Sequence, residues 1–131
     1  MIRYIGVRLD AGCKVWRVDD AGRIKALPHS RRSPDFPTDQ WEWGYGGTGP
    51  AHLAWALCQD VVEDRELSWQ VHQCLKWQVI ALLPRDHWSL TAAQIADVID
   101  RAAQTRAQSD EERLMGEAAE LALSGSPLPD P

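Results

Sequence analysis

The chain has 131 residues, 44% of them hydrophobic and 25% charged, and a net charge of −5. These values are ordinary for a soluble globular protein and fit one domain with its own core, not two. Residues 91–131 carry eight acidic against three basic side chains, which argues against a uniformly basic nucleic-acid surface. Neither a run of about 18 apolar residues nor a signal-peptide core is found. The sequence therefore predicts a cytoplasmic protein with no membrane partner.

The N-terminal part predicts β-structure. The runs MIRYIGVRL, CKVWRV and RIKAL end in Asp-, Gly- or Pro-containing turns, a pattern typical of a three-stranded antiparallel meander. Its alternation places Arg3, Ile5, Val7 and Leu9 on one face, and Trp16 with Val18 on another. Because so small a sheet is not stable alone, we expect Trp16 and Val18 to be buried against Leu57 or Leu75.

The remainder predicts helices. Residues 28–40 contain three prolines and indicate an irregular crossover, after which QWEWGYG could form one more short strand. Helical spacing of apolar residues begins at Pro50, and a second helix is predicted from Glu66 to Leu83. Thr91 with Gln94 forms a capping-box pattern for a third helix.

The same capping pattern at Ser109 and Glu112 predicts a fourth helix ending near Gly125, before a frayed SPLPDP tail. We therefore predict an α+β fold in which a small antiparallel β-meander packs on three or four helices. Residues 1–106 are expected to form the compact domain, and residues 107–131 an acidic helix and tail.

The stretch WEWGYGGTGPAHLAWAL has two readings. Gly44, Gly46 and Gly49 match the G-x-G-x-x-G spacing of dinucleotide loops. The following helix leads into another helix rather than a parallel strand, and Pro50 removes an amide donor, which disfavours that interpretation. The alternative is a turn that ends in a helix N-terminus, with Gly46 or Gly47 at positive φ. A glycine loop also lets a partner's backbone approach closely.

The residues Ser33-Pro34, Phe36, WGYGGTGPAHLAWAL and KWQVIALLP resemble DUF6166, a family of uncharacterised proteins. The resemblance covers about residues 3–100. It implies a shared fold and a setting in phages, plasmids and their hosts, but no reaction. The chain departs from the family pattern by a basic insert around Arg31 and Arg32 and by the acidic helix after Ser109.

Residue patterns for catalysis or metal binding are weak. His72 and Cys74 are two apart on a helix and point to different faces, and Cys58 lies in an apolar run that disfavours a thiolate. We therefore predict no catalytic residue, no metal and no cofactor. Among seven tryptophans, four are predicted in the core (Trp16, Trp43, Trp55 and Trp77), and Trp41 and Trp69 are predicted to be half exposed.

These features predict a non-catalytic protein that binds another protein, with Trp41, Tyr45, Gly46, Gly47, Thr48, Arg31, Arg32, Glu111, Glu112 and Glu117 as binding residues. The expected partner is a host protein with a basic surface, because the predicted C-terminal helix is acidic. The alternative is a nucleic-acid or nucleotide binder that uses Arg31, Arg32 and the Gly44–Gly49 loop. The oligomeric state stays open, with a dimer through the C-terminal helix as one arrangement.

Overall fold

The computed structural model describes residues 1–28, residue 36 and residues 40–123. The predicted crossover from residue 29 onward, apart from residues 36 and 40, lies outside the described residues, as do Gly125 and the SPLPDP tail. The strands are β1 (Arg3–Leu9), β2 (Gly12–Val18), β3 (Ile24–Ala26) and β4 (His87–Thr91). The helices are α1 (Thr48–Val62), α2 (Arg65–Gln78) and α3 (Ala92–Leu123), with a 3-10 turn at Ile80–Leu82. The α+β prediction is confirmed.

All strand pairs are antiparallel, in the order β3-β2-β1-β4. The first three strands form the predicted meander. The fourth, β4, was not predicted, because its five residues lie between two helices and directly precede the third. It pairs with the free edge of β1, where Tyr4 lies opposite Leu90 and Gly6 opposite Trp88. A contact between chain segments so far apart leaves no local pattern in the sequence.

The predicted burial of β2 is confirmed for Val18, which is 6% exposed, but it is wrong for Trp16, because the sheet turns its other face toward the helices. Tyr4 of β1, Val15 of β2 and Trp88 of β4 belong to the buried core cluster. Trp16 lies on the opposite face, half-buried and opposite Ile5, and neither residue belongs to that cluster. The prediction followed the more apolar alternation along β1, but the strand turns its tyrosine toward the helices.

The sheet is joined to α1 by a polar contact in which the buried Tyr4 and the half-buried Arg17 share the buried carboxylate of Asp60. The Tyr4 hydroxyl donates a hydrogen bond to the carboxylate of Asp60, whose side chain is 1% exposed, and Arg17 Nε lies 3.1 Å from the same carboxylate oxygen. Burial, reinforced by the Asp60 carboxylate, raises the pKa of Tyr4, which keeps the phenol protonated as a donor. The pair Tyr4–Arg17 is in cross-strand register, so one carboxylate anchors both central strands to the helix.

The start of α3 is confirmed as predicted. The backbone N–H of Gln94 donates to Thr91 Oγ1 at 3.0 Å, and the backbone N–H of Thr91 donates to Gln94 Oε1 at 2.8 Å. This reciprocal pair satisfies two amides that have no partner inside the helix.

The predicted helix start at Ser109 is wrong, because α3 runs without a break from Ala92 to Leu123. Its surrounding residues are good helix formers, so Ser109 sits inside the helix and does not cap it. The last buried residue of α3 is Ala102, and residues 104–123 are all exposed. The distal half of α3 is therefore a helix without a covering layer among the described residues.

Two tryptophans predicted in the core, Trp43 and Trp55, are buried as expected. Trp69 is 53% exposed, as predicted. The prediction is wrong for Trp77, which is 57% exposed, and for Trp41, which is buried. Trp77 lies two positions beyond Leu75, the fully buried residue of α2, and two positions on a helix turn the side chain to the far side.

Candidate functional site

The loop between Trp41 and Thr48 is held by the buried side chains of Trp43 and Trp88. Trp43 Nε1 donates to the carbonyl oxygen of Arg85 at 2.9 Å, and its ring meets the Trp88 ring edge-on at 5.5 Å. The Gly44 amide donates to the carbonyl oxygen of Ile80 at 3.0 Å. The short strand predicted here does not form, since the loop hydrogen bonds to the 3-10 turn and not to the sheet.

The position of positive φ differs from the prediction. Gly44 has φ 86°, a left-handed conformation that glycine adopts without steric strain. Gly46 and Gly47 do not have positive φ, and Gly47 is the extended N-cap residue of α1 with φ −141°. These two glycines are required for a different reason, which is the close approach of aromatic rings.

Two aromatic rings lie directly on the backbone of the paired glycines. A Cβ built on Gly46 would overlap ring atoms of Trp77, and one built on Gly47 would lie 2.6 Å from Cε2 of Tyr45. The rings nevertheless remain open to solvent, with Tyr45 50% and Trp77 57% exposed. We call Tyr45, Gly46, Gly47 and Trp77 the glycine-loop surface. The paired glycines let both rings approach the backbone closely, where a side chain at either position would push them away.

Polar contacts hold both rings in place. The Tyr45 hydroxyl donates to the Glu42 carboxylate, and this hydrogen bond is the main reason that the pKa of Tyr45 is raised to about 12. The Lys76 amine lies 4.2 Å from the centroid of a Trp77 ring, a favourable cation–π geometry. Each ring is therefore restrained by the glycine backbone on one side and by a charged group.

The N-terminus of α1 carries a carboxylate of the protein itself. Glu42 packs against Gly49 in the first turn, where a Cβ would overlap the carboxylate. A negative charge at this end of a helix is favoured by the helix dipole. A dinucleotide loop places a phosphate at the same end of its helix, so Glu42 brings a negative charge to the region where such a phosphate would bind.

A second cluster of rings lies between α1 and α2. Phe36 stacks on His52 at 4.8 Å between ring centroids and meets His72 edge-on at 5.8 Å. Trp55 and Trp69 complete the cluster, each with its ring against His72. A groove of about 510 Å³ borders it, lined by Phe36, Trp69, Gln70, His72, Gln73, Cys74 and Arg106. Phe36 thus packs against side chains of both helices.

His72 is neutral in this cluster. Its Nδ1 lies 2.7 Å from the carbonyl oxygen of Trp69, so Nδ1 carries the proton and donates it. Nε2 then accepts from the side-chain amide of Gln73 at 3.3 Å. Burial lowers the pKa of His72, and the nearby Lys76 charge acts in the same direction against two opposing backbone hydrogen bonds.

This pKa predicts loss of stability in mild acid. A lowered folded-state pKa means that the unfolded chain binds a proton more readily below about pH 6.5. The stabilising contribution of neutral His72 is present above that pH and is lost as the pH falls through the folded-state pKa. The midpoint of urea unfolding should therefore fall between pH 7.5 and 5.5. In His72→Asn the side-chain amide can replace His72 Nδ1 as hydrogen-bond donor to the Trp69 carbonyl oxygen, but it does not titrate, so the midpoint should fall less. An equal fall in the wild type and in this variant would contradict the assignment of the pH effect to His72.

The predicted binding residues fall into separate groups. Tyr45, Gly46 and Gly47 form the glycine-loop surface, and Thr48 is the exposed first residue of α1 beside it. Trp41 is 5% exposed and meets His52 edge-on at 5.1 Å. The Trp41 side chain therefore packs inside the protein and is not accessible to a binding partner.

The other predicted binding residues lie elsewhere. Glu111, Glu112 and Glu117 are exposed on the distal half of α3, and Arg31 and Arg32 lie outside the described residues. Trp77 was not predicted as a binding residue, because its run of apolar neighbours suggested the core. The signal that could have identified it is its two-residue offset from the helical stripe through Val71 and Leu75.

The described residues carry no group of three or more His, Cys, Asp or Glu side chains placed to hold a metal ion. Cys58 is fully buried, and burial raises its pKa to about 12, so it remains a thiol at neutral pH. Within the same part of the chain, the helices are too short or too polar to cross a membrane.

Comparison with known proteins identifies a family. No curated protein and no solved structure matches the chain. The model of DUF6166, a family of unknown function, matches residues 4–101. The match includes the whole glycine-loop surface and ends one residue before Ala102, the last buried residue of α3. The chain is a member of the DUF6166 family.

Proposed function

We propose that this chain is a non-catalytic binding protein that contacts another protein through the glycine-loop surface. The observation that carries the proposal is a pair of half-exposed aromatic rings, Tyr45 and Trp77, fixed on the backbone of Gly46 and Gly47. Large aromatic side chains are enriched among the residues that dominate protein–protein binding energy. An exposed pair built into the fold in this way has the composition of such an anchor.

Pre-organisation strengthens this interpretation. Binding normally costs about 0.5–1.5 kcal/mol for each flexible side chain that becomes ordered. The hydrogen bond from Tyr45 to Glu42 and the Lys76 amine beside the Trp77 ring restrict these two rings before any partner arrives. The energy of burying them in a complex is then available for affinity.

The charges around the loop favour a protein over a phosphate-bearing ligand. Glu42 places a carboxylate at the N-terminus of α1, where it repels an anion. A nucleic acid bound at Gly44–Gly49 would have to displace or neutralise this group. The alternative through Arg31 and Arg32 concerns residues outside the described part of the chain, and no described contact supports it.

The biological setting in this proposal rests on the family resemblance. The protein would belong to a phage or plasmid and act in the cytoplasm as an inhibitor or accessory factor of a host system, for example as an anti-defence protein. A rigid aromatic surface without reactive groups suits such a role, since occluding a host surface requires affinity and no turnover.

The test is capture from an extract of the native host with the full-length chain. A captured protein should be retained by the wild type and lost with Trp77→Ala and with Gly46→Ala, which displaces the Trp77 ring. Trp69→Ala is the matched control, because Trp69 is a similarly exposed tryptophan on α2 whose ring contacts His72 instead of the loop. We expect binding by this control to remain within about threefold of wild type.

The salt dependence of the complex separates the two functions. Affinity for a protein held by aromatic contacts should change little between 50 and 200 mM salt, whereas a phosphate-driven complex weakens steeply. A complex that survives Trp77→Ala, or one that contains nucleic acid and weakens steeply with salt, would contradict the proposal.

A further inference from the structure

The distal half of α3 has an apolar stripe with acidic residues on both sides. Leu114, Ala118 and Leu121 follow the i, i+4, i+7 spacing of one helix face, and Leu114 is 59% exposed. Counting 100° per residue, Glu117 lies on one side of the stripe and Glu111 on the other. Most of the stability of a helix in a protein comes from packing its apolar face against other elements.

The outer face of the sheet has the complementary pattern. Ile5 and Trp16 lie opposite each other there, half-buried and outside the core cluster. Exposed basic residues lie on this face one row to either side of that pair, with Arg3 opposite the buried Val18 and Lys14 opposite the half-buried Val7. Among the described elements, the helices that cover the sheet lie on its other face, since the core cluster takes in Tyr4 and Val15 but none of these residues.

We infer that the distal half of α3 docks on the outer sheet face of a second copy of this chain. The apolar stripe would meet the Ile5–Trp16 row, and the acidic residues on both sides of the stripe would meet Arg3 and Lys14. Because each copy has one helix and one sheet face to offer, a reciprocal exchange about a two-fold axis satisfies both and closes the assembly. This surface shares no residue with the glycine-loop surface, so the inference does not depend on the proposed function.

The dimensions permit this arrangement. The helix beyond Ala102 extends from residue 103 to Leu123, which is about 31 Å at 1.5 Å per residue. A four-stranded sheet is about 19 Å wide at a strand spacing of roughly 4.8 Å. The helix can thus cross the whole sheet and still leave a connection to its own domain. Opposite charges at the two surfaces fix which faces meet.

Sedimentation velocity of the full-length chain at physiological salt tests the inference. The wild type should be a dimer at tens of micromolar. Arg3→Glu with Lys14→Glu on the sheet, and separately Glu111→Lys with Glu117→Lys on the helix, should each raise the dimer dissociation constant at least tenfold. The four changes combined in one chain should restore the dimer, because every reversed charge then faces a reversed partner.

Two controls use charges that point away from the interface. Lys25 is exposed on the other face of the sheet, opposite Arg17, so Lys25→Glu should leave the dimer unchanged. Glu112 and Glu120 lie away from the stripe, so the pair Glu112→Lys with Glu120→Lys should also have no effect. A monomeric wild type, a dimer that only the helix changes disrupt, or a four-change variant that stays monomeric would each overturn the inference. The second of these results would instead indicate pairing of one helix with another.

Discussion

Replacing Gly6 with Ala is expected to lower the free energy of unfolding by about 3 kcal/mol, the upper part of the usual range for overpacking a core. A Cβ at this position would lie 2.6 Å from Cζ2 of Trp88 and overlap other atoms of its indole ring. The ring cannot withdraw, because Trp88 is 5% exposed and stands edge-on against Trp43. Urea unfolding followed by circular dichroism measures the change.

Gly116→Ala is the control for this substitution. Gly116 lies inside α3, and a Cβ there meets nothing within 4 Å, so the change should stabilise the helix by up to about 1 kcal/mol. If Gly6→Ala cost no more than about 0.5 kcal/mol, Trp88 would not pack on β1 as described.

Asp60→Ala is expected to destabilise the fold by about 3 kcal/mol, the upper part of the range for hydrogen bonds to a charged group, because Asp60 is buried while Arg17 is 35% exposed. Asp60 accepts the Tyr4 hydroxyl and lies 3.1 Å from Arg17 Nε. Without the carboxylate, the phenol and the guanidinium lose the group that connects the sheet to α1. Thermal and urea unfolding of the full-length chain provide the measurement.

Two further variants separate the charge from the hydrogen bond. Asp60→Asn keeps the shape and an acceptor for Tyr4 but loses the ion pair, so its cost should be smaller than that of Asp60→Ala. Tyr4→Phe removes only the donor and should cost about 1 kcal/mol. Combining Tyr4→Phe with Asp60→Ala should destabilise the fold by less than the sum of the two single effects. Each single change already removes the hydrogen bond between Tyr4 and Asp60, and the double variant loses it only once. Strict additivity would show that the contact does not stabilise the fold.

Sequence patterns predicted correctly those features that depend only on residues close together in the chain. The capping box at Thr91 and Gln94 depends on residues three apart, and the structure has both of its hydrogen bonds. The face of β1 failed because hydropathy favoured Ile5, whereas the fold buries Tyr4 and Gly6. Tyr4 is buried through Asp60, and Gly6 makes room for Trp88, so both choices depend on distant partners.

The candidate surface shows the same division. The sequence indicated Tyr45 and the paired glycines, because an aromatic beside adjacent glycines before a helix is visible in a short window. It assigned those glycines to positive φ, although their role is to admit rings of Tyr45 and Trp77. Trp77 lies on another helix, and its approach to Gly46 is a tertiary contact without a signature in its own neighbourhood.

The most direct test of the central claim, that Trp77 is fixed on the glycine loop, is a nuclear Overhauser measurement on the full-length protein. The Trp77 ring lies in close non-bonded contact with the Gly46 backbone. This contact predicts strong cross-peaks from the ring protons to the Gly46 Hα protons. It also predicts upfield shifts of those protons, which Trp77→Ala should abolish. Absence of these cross-peaks, together with Gly46 Hα shifts that do not respond to Trp77→Ala, would show that the ring moves freely and would contradict a pre-organised binding surface.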